Sequence, residues 1–230
     1  MLALFVLAST LAAQAGDRVP MSAGLRSRSL TVPDGILNTW YFTADEGALQ
    51  ERPHLGARVY GVEFSLEPAP TVYTFYLEYL GVRAEDGYWD DRDSPPVHDD
   101  GDWLANDGLG AVVLGANFGH EVTLSSQDKT AWLGLLVGGG LGAGLSVGRA
   151  EQWKAGPAVT TDPARCGALE TAIDRKDHCD PDENPGLWPV VPMVDISVAL
   201  RLHVADRAYL RLEGGLHDTL YGGLAAGGSF

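Results

Sequence analysis

Hydrophobic and polar residues alternate with a period of two in eight separate stretches of the chain. A period of two is that of a β-strand, because successive side chains of a strand point to opposite faces of the sheet. The stretches cover residues 21 to 32, 55 to 66, 71 to 83, 108 to 124, 130 to 148, 189 to 204, 207 to 216 and 219 to 230. The pattern therefore predicts eight strands and an all-β fold.

Most of these stretches carry large apolar side chains on one face and small, polar or charged side chains on the other. In the third stretch the apolar face is formed by Tyr73, Phe75, Leu77 and Tyr79. In the sixth it is formed by Val190, Val194, Ile196, Val198, Leu200 and Leu202. The first stretch is the least regular, with Arg26 and Arg28 on one parity and few apolar residues on the other.

Residues 130 to 148 also meet the length test for a transmembrane helix, since they are nineteen uncharged residues with Gly138 and Gly142 at GxxxG spacing. Seven of the nineteen are glycine, and each interior glycine costs a helix about 1 kcal/mol relative to alanine. The period of two fits equally well. We therefore predict a strand whose glycine-lined inner face leaves room for large side chains from other strands.

The connections between the predicted strands alternate in length. Short ones are expected at Glu67 to Pro70, Ser125 to Lys129, Ala205-Asp206 and His217-Asp218, and long ones near 33 to 54, 84 to 107 and 149 to 188. Short periplasmic turns and long extracellular loops are typical of outer-membrane barrels. The predicted fold is an eight-stranded antiparallel up-and-down transmembrane β-barrel with both termini in the periplasm.

A soluble β-sandwich or lipocalin-like barrel would show the same alternation but would turn its aliphatic face inward. The opposite face argues against this alternative, because its polar residues are few and alternate with glycine, which suits a packed lumen better than a surface in water. The last residue, Phe230, continues the apolar parity of Leu220 and Leu224. An aromatic residue at that position is expected to face lipid.

The first fifteen residues form an uncharged apolar run that ends in Ala13-Gln14-Ala15. Small residues at this spacing are the pattern that signal peptidase cleaves. We predict a signal peptide over residues 1–15 and a single barrel domain over residues 16–230. A buried N-terminal helix is the alternative for the apolar run.

The chain is acidic, with 31 Asp and Glu residues against 16 Lys and Arg residues and a formal net charge of -15. Such a surface repels polyanions, which excludes a nucleic-acid-binding function. Cys166 and Cys179 are the two cysteines, and an even number in an exported protein predicts a disulfide bond. A metal site with His178 is the less favoured alternative, because the spacing lacks a second pair of ligands.

Nine charged residues fall on the inward parity of the predicted strands: Arg26, Arg28, Glu63, Glu78, Glu121, Asp195, Arg201, Arg211 and Glu213. Because an unpaired buried charge is unfavourable, we expect them to form ion pairs that plug the barrel. The alternative is a selective lining for a narrow ion or solute pathway. Eight strands enclose a lumen just wide enough to be filled by side chains, which favours the plug.

Two motif matches lack the structural context that their chemistry needs. Residues 144 to 148 read Gly-Leu-Ser-Val-Gly, but a nucleophile elbow requires a strand-to-helix turn. Residues 138 to 143 resemble a dinucleotide fingerprint, but no βαβ unit follows. We therefore predict no catalytic and no cofactor-binding residues, no cofactor, and no enzymatic activity.

Acidic residues cluster in two of the predicted loops. One lies between Ala84 and Asp107, and the other is the stretch from Asp180 to Gly186, which begins like a calcium loop but has its glycine one position late. Solvated acidic loops are the simpler interpretation, so no metal ligand is assigned. Divalent cations remain possible partners of these loops.

The chain resembles the small outer-membrane barrels of the OmpA/OmpX type, within the broader porin-like group. The resemblance rests on the leader, the eight alternating segments, the loop lengths and the terminal Phe230, and it covers nearly the whole mature chain. It implies an outer-membrane location in a Gram-negative bacterium, contact with outer-membrane lipid, and a monomer. It also implies folding by the barrel assembly machinery, which would recognise the last strand ending at Phe230.

The resemblance implies a non-enzymatic structural or surface-interaction protein with long acidic extracellular loops. A narrow channel for ions or small hydrophobic molecules is the competing function. A soluble exported β-barrel or sandwich that binds a ligand is the third.

Overall fold

The computed structural model describes residues 19–33, 55–84, 86–89, 102–125, 130–154, 175–176, 179–183, 188–205 and 207–230. They contain ten strands: β1 (Met21–Thr31), β2 (Gly56–Leu66), β3 (Thr71–Arg83), β4 (Gly87–Trp89), β5 (Asp102–Thr123), β6 (Ala131–Trp153), β7 (Asp182–Glu183), β8 (Val190–Val204), β9 (Ala208–His217) and β10 (Thr219–Ser229). The predicted signal peptide and Cys166 lie outside the described residues, so both the leader and the Cys166–Cys179 bond stay predictions.

Eight long strands close into an antiparallel barrel. The pairs run in the order β1, β2, β3, β5, β6, β8, β9 and β10, and β10 pairs with β1. At the seam, the backbone N–H of Phe230 donates to the Met21 carbonyl at 2.8 Å. The eight strands coincide with the eight predicted stretches, so the predicted fold class is confirmed. Within the described segments, no helix has the length and apolar composition needed to cross a bilayer.

The two ends of the barrel differ. The chain termini and the connections β2–β3, β5–β6 and β8–β9 lie at one end, which we call the turn end. The other, which we call the loop end, carries the connections β1–β2, β3–β5 and β6–β8 together with a one-residue turn at Asp218. Asp218 has φ 57°, and its carboxylate accepts the Val194 N–H at 2.7 Å. This turn is therefore tied to β8.

Burial in the barrel is inverted relative to a water-soluble protein. Leu141 and Leu224 on the outer face are 70% and 62% exposed, whereas Arg28 and Arg201 on the inner face are 1% exposed. Alternation along each strand places these two classes on opposite sides of one wall. The apolar face surrounds the barrel, which is the arrangement that lipid requires and the reverse of the soluble alternative.

The glycine-rich strand β6 is a strand and faces large side chains, as predicted. A Cβ added at Gly134 would overlap the Glu121 carboxylate, and one at Gly142 would lie 3.1 Å from the Tyr76 hydroxyl. On the facing strand, a Cβ at Gly115 would overlap the Tyr76 ring. Glycine in this part of the wall therefore provides the space that the lumen side chains fill.

Strands β5 and β6 continue past the loop end, where loops were predicted. The residues predicted as loops at 102 to 107 and 149 to 153 form the outer part of this hairpin, and β4 and β7 pair with its two edges. The register shifts at Asp107/Gly108. Gly108 and Gly148 there have φ of 69° and 71°, a conformation that glycine adopts without strain. We call the sheet of β4, β7 and the outer parts of β5 and β6 the extension.

Candidate functional site

The middle of the lumen holds a cluster of buried ionic groups. Arg28 is held between two carboxylates: its Nε is 2.6 Å from Glu213 Oε1 and its Nη1 is 2.6 Å from Asp195 Oδ2. The guanidinium also lies 4.2 Å from the centre of the Tyr221 ring, a cation–π distance. One face and two N–H groups of this guanidinium are thus in contact with protein groups.

Arg211 extends the same cluster toward β2. Its Nη2 lies 2.6 Å from Glu63 Oε2, and its Nε lies 2.9 Å from Glu213 Oε2. Glu63 also accepts a hydrogen bond of 2.5 Å from the Tyr209 hydroxyl. Glu213 therefore joins Arg28 to Arg211, and the cluster is continuous across the lumen.

Arg26 and His217 complete the cluster on its other side. Arg26 Nε is 2.5 Å from Glu78 Oε1, and the guanidinium lies 4.4 Å from the Tyr76 ring centre. The His217 ring is fully buried, with Nδ1 at 3.1 Å from Asp195 Oδ2 and Nε2 at 3.9 Å from Glu78 Oε2. His217 therefore lies between the carboxylates that also serve Arg26 and Arg28.

A second ionic cluster lies toward the turn end. Arg201 Nη2 is 2.5 Å from Glu67 Oε1, and its Nη1 is 3.4 Å from Glu121 Oε2. His203 Nε2 is 2.8 Å from Glu121 Oε1, and its ring stacks on Trp132 at 3.6 Å between centroids. An aromatic face thus covers the histidine on one side.

The charged groups of the described lumen lie in contact with groups of opposite type. Four arginines face six carboxylates, and each of the two histidines contacts a carboxylate. Close pairing of this kind is what allows ionised groups to be buried.

Apolar side chains close the lumen toward the loop end. Leu30, Val59, Leu80, Val113 and Met193 form one buried cluster with the rings of Tyr76 and Tyr221. Below it, a cavity of about 20 Å³ lies between Arg26, Thr74, Asn117 and Ser197. A cavity of this size admits a single water molecule. The interior is therefore filled by side chains.

All nine charged residues predicted for the inner face lie in the lumen, and eight of them are buried, with Glu121 half-buried. Two members of the ionic clusters were not predicted to lie in the lumen. Glu67 was assigned to a turn, although it continues the inward parity of Glu63 and Ser65, and His217 was not counted among the charged groups. Continuing the parity past the strand ends would have found both.

The extension carries exposed ion pairs. Arg149 Nε is 2.7 Å from Asp107 Oδ2, and its Nη1 is 2.9 Å from Glu183 Oε1. The hydrogen bond to Asp107 and its charge raise the pKa of Arg149. Lys154 Nζ lies 3.2 Å from Asp182 Oδ2. Acidic side chains here are thus partly neutralised by neighbouring bases.

The extension also has a small aromatic core. Trp103 and Trp153 face each other across β5 and β6, and Lys176 Nζ lies 5.0 Å and 5.7 Å from their ring centres. Trp153 is 6% exposed and donates its indole N–H to the Cys179 carbonyl at 3.2 Å. These two tryptophans therefore pack within the extension.

Other candidate sites give no sign of chemistry in the described chain. Ser146 lies inside β6, paired with Ala111, and its hydroxyl donates to the Trp188 carbonyl, so the strand-to-helix turn of a nucleophile elbow is not formed there. Within the described ranges, no three His, Cys, Asp or Glu residues are grouped so that they could hold a metal ion. Most of the predicted acidic loop lies outside those ranges.

Strand number, closure and a lumen filled by side chains together identify the architecture. The fold is a closed eight-stranded antiparallel barrel with a lumen filled by side chains, which is the architecture expected from the resemblance to the small OmpA/OmpX-type barrels. No protein-family model and no curated protein sequence matches the chain. Among solved structures, the chain is similar to Ail, the attachment invasion locus protein of Yersinia pestis, with 10% identity and a TM-score of 0.41, over 92% of this chain and 99% of that one. At these values the likeness adds nothing to the strand pairing, which alone carries the fold.

Proposed function

We propose that this protein is a non-enzymatic integral protein of the Gram-negative outer membrane, with a structural or surface-interaction role carried by its loop end. The observation that carries the proposal is the inverted wall. A continuous outer face of exposed leucine, valine and aromatic side chains surrounds a lumen whose arginines and carboxylates pair with each other. Water on the outside would make this distribution unfavourable.

The extension supports the surface-interaction part of the proposal. Because it projects past the barrel wall on β5 and β6, it offers backbone edges and charged side chains beyond the apolar belt. The loop end would then face the cell exterior and the turn end the periplasm. Outer-membrane lipid, and the assembly machinery acting on the strand that ends at Phe230, are the partners that this location implies.

The membrane assignment is tested by heat-dependent mobility in SDS gels. A barrel folded in lipid is expected to migrate differently with and without boiling, and to resist protease along its barrel strands. A chain that stays in the aqueous phase and shows one mobility would contradict the proposal.

The channel alternative is tested by conductance in planar bilayers. The apolar cluster of Leu30, Val59 and Met193 lies across the lumen, so we expect no steady single-channel current from the purified protein. Reproducible openings would favour the channel.

Unchanged lipid A in a deletion strain, compared with its parent, would support the absence of an enzymatic role.

A further inference from the structure

The outer face of the barrel wall is uncharged except at one place. Among its described outward-facing residues, Arg58 on β2 and Arg83 on β3 are the only side chains of the Asp, Glu, Lys and Arg types. Gly56 pairs with Arg83 and Arg58 pairs with Gly81, so the two arginines are diagonal neighbours on one face, with their Cβ atoms somewhat less than about 7–8 Å apart. Both lie at the loop end.

The two guanidiniums lack carboxylate partners within the part of the chain that the structure describes. This is unusual for a chain with nearly two acidic residues for every basic one, and it contrasts with the lumen, where each arginine contacts a carboxylate. An exposed pair of like charges with no counterion among the described residues is positioned to attract one from outside the barrel wall.

A groove of about 460 Å³ lies between them. Its lining combines the two arginines with Gly56, the hydroxyl-bearing Ser29 and Thr31, and apolar residues such as Val32, Pro33 and Leu55. A groove lined by guanidinium and hydroxyl donors is suited to a phosphate group, because arginine presents a planar set of N–H donors that matches phosphate oxygens.

The position of the groove indicates what carries the phosphate. Directly toward the middle of the barrel, Tyr60 and Tyr79 face each other in register and are 58% and 48% exposed. Tyrosines at this level mark the boundary between headgroups and hydrocarbon. An occupant would have its anionic group between the arginines and its apolar part along the outer face below them.

We propose that Arg58 and Arg83 form a binding site for the phosphate of an anionic, phosphorylated membrane lipid at the outer rim of the barrel. The site rests on the proposed function, since the loop end must lie in the outer leaflet. Its occupant is a lipid headgroup, in preference to a soluble anion, because the exposed Tyr60 and Tyr79 continue the same outer face from the two arginines toward the apolar belt.

The test compares lipid binding by the folded barrel and two variants, one with both Arg58→Gln and Arg83→Gln and one with Arg207→Gln. The lipid is titrated into detergent micelles, and the complexes are counted by native mass spectrometry. The probes are bisphosphorylated lipid A and the same lipid A with its phosphates removed. Each arginine near an anionic lipid contributes about 1 kcal/mol, or about fivefold, so Arg58→Gln and Arg83→Gln together should weaken phosphorylated lipid A binding by roughly 25-fold. Binding of the dephosphorylated lipid should stay the same.

Arg207→Gln is the matched control, because Arg207 is exposed at the turn end and also lacks a carboxylate partner among the described residues. It should bind phosphorylated lipid A like the wild type. Equal affinity of the double variant and the wild type would overturn the site, and so would an equal loss in Arg207→Gln. Displacement of lipid A by the same concentration of inorganic phosphate would overturn the lipid assignment. Failure of the proposed membrane function is distinguishable, since it would remove the heat-dependent gel shift from every form.

Discussion

Arg28→Gln provides the sharpest test of the buried ionic lumen. The substitution leaves Asp195 and Glu213, both within 2.6 Å of the guanidinium and both buried, without that partner. Removing one member of a buried ion pair costs about 3–5 kcal/mol, because the remaining charge stays desolvated. Both carboxylates keep other contacts, since Asp195 still lies 3.1 Å from His217 and 3.9 Å from Arg26, and Glu213 still lies 2.9 Å from Arg211. We therefore expect a loss near the lower end, about 3 kcal/mol in the free energy of unfolding.

Arg149→Gln is the matched control for this substitution. Arg149 also has two close carboxylates, at 2.7 Å and 2.9 Å, with Glu151 a third at 4.0 Å, but its side chain is 47% exposed and those of the two close partners are 56% and 60% exposed. Water replaces the lost partner at such a site, so no measurable change is expected. The two variants differ chiefly in burial, since the chemistry, the number of close partners and their distances are alike.

Urea titration in lipid vesicles measures both variants, with the folded fraction taken from the heat-dependent gel shift. A loss of about 3 kcal/mol corresponds to more than a 100-fold fall in the ratio of folded to unfolded protein. Adding Glu213→Gln to Arg28→Gln should recover part of the loss, because one of the orphaned carboxylates is then neutral. Equal midpoints for Arg28→Gln and Arg149→Gln would refute the argument that burial makes the lumen pairs essential.

Three further substitutions test the wall and the extension, each by the same titration or by protease digestion. Leu224→Arg, on the 62% exposed outer face, should lose about 2–4 kcal/mol in lipid, whereas a surface leucine in water would tolerate the change. Gly115→Ala should lose about 1–3 kcal/mol from overlap with the Tyr76 ring, while Gly222→Ala, whose added Cβ meets nothing within 4 Å, should leave the midpoint unchanged. Gly148→Ala combines a positive φ with overlap on a facing carbonyl, so protease should cleave the extension faster while the barrel stays folded; equal cleavage rates would contradict the role of that glycine.

The barrel wall was predictable because a strand has a fixed period of two and each face meets a different solvent. Leu212 and Arg211 are adjacent in sequence, yet one is 59% exposed and the other 5% exposed, as their parity requires. The glycines of β6 could be interpreted for the same reason. They recur at the inward-facing positions of this strand, where the side chains of Tyr76 and Glu121 from other strands need space. Parity identifies the face of each residue without any knowledge of its partners.

Partners inside the lumen were not predictable. The parity of a residue tells which face of the wall it occupies but not its level along the barrel axis. Arg28 pairs with Asp195 and Glu213, which are 167 and 185 residues away. Which inward groups reach the same level depends on the stagger between strands around the barrel, and a single sequence does not contain that quantity. The sequence therefore supported a plug of paired charges but not the identity of the pairs.

The extension was missed because its residues are poor strand formers. Asp102, Asp107 and Asp182 belong to a type depleted in strands, and the composition of these segments favours loops. Their pairing depends on long-range contacts, such as Trp103 with Trp153 and Arg149 with Glu183. Tertiary interactions of this kind override local propensity where they bury aromatic surface.

The distribution of arginine links the lumen to the outer rim. Buried carboxylates hold Arg26, Arg28, Arg201 and Arg211, because a charge inside the barrel is stable only with a partner. Arg58 and Arg83 are under no such requirement, since their end of the wall meets headgroups and water. A lipid-facing charge is tolerated at that level and becomes unfavourable a few residues deeper. Their place above Tyr60 and Tyr79 is therefore the part of the outer face where a fixed positive charge can act on an anionic lipid without destabilising the barrel.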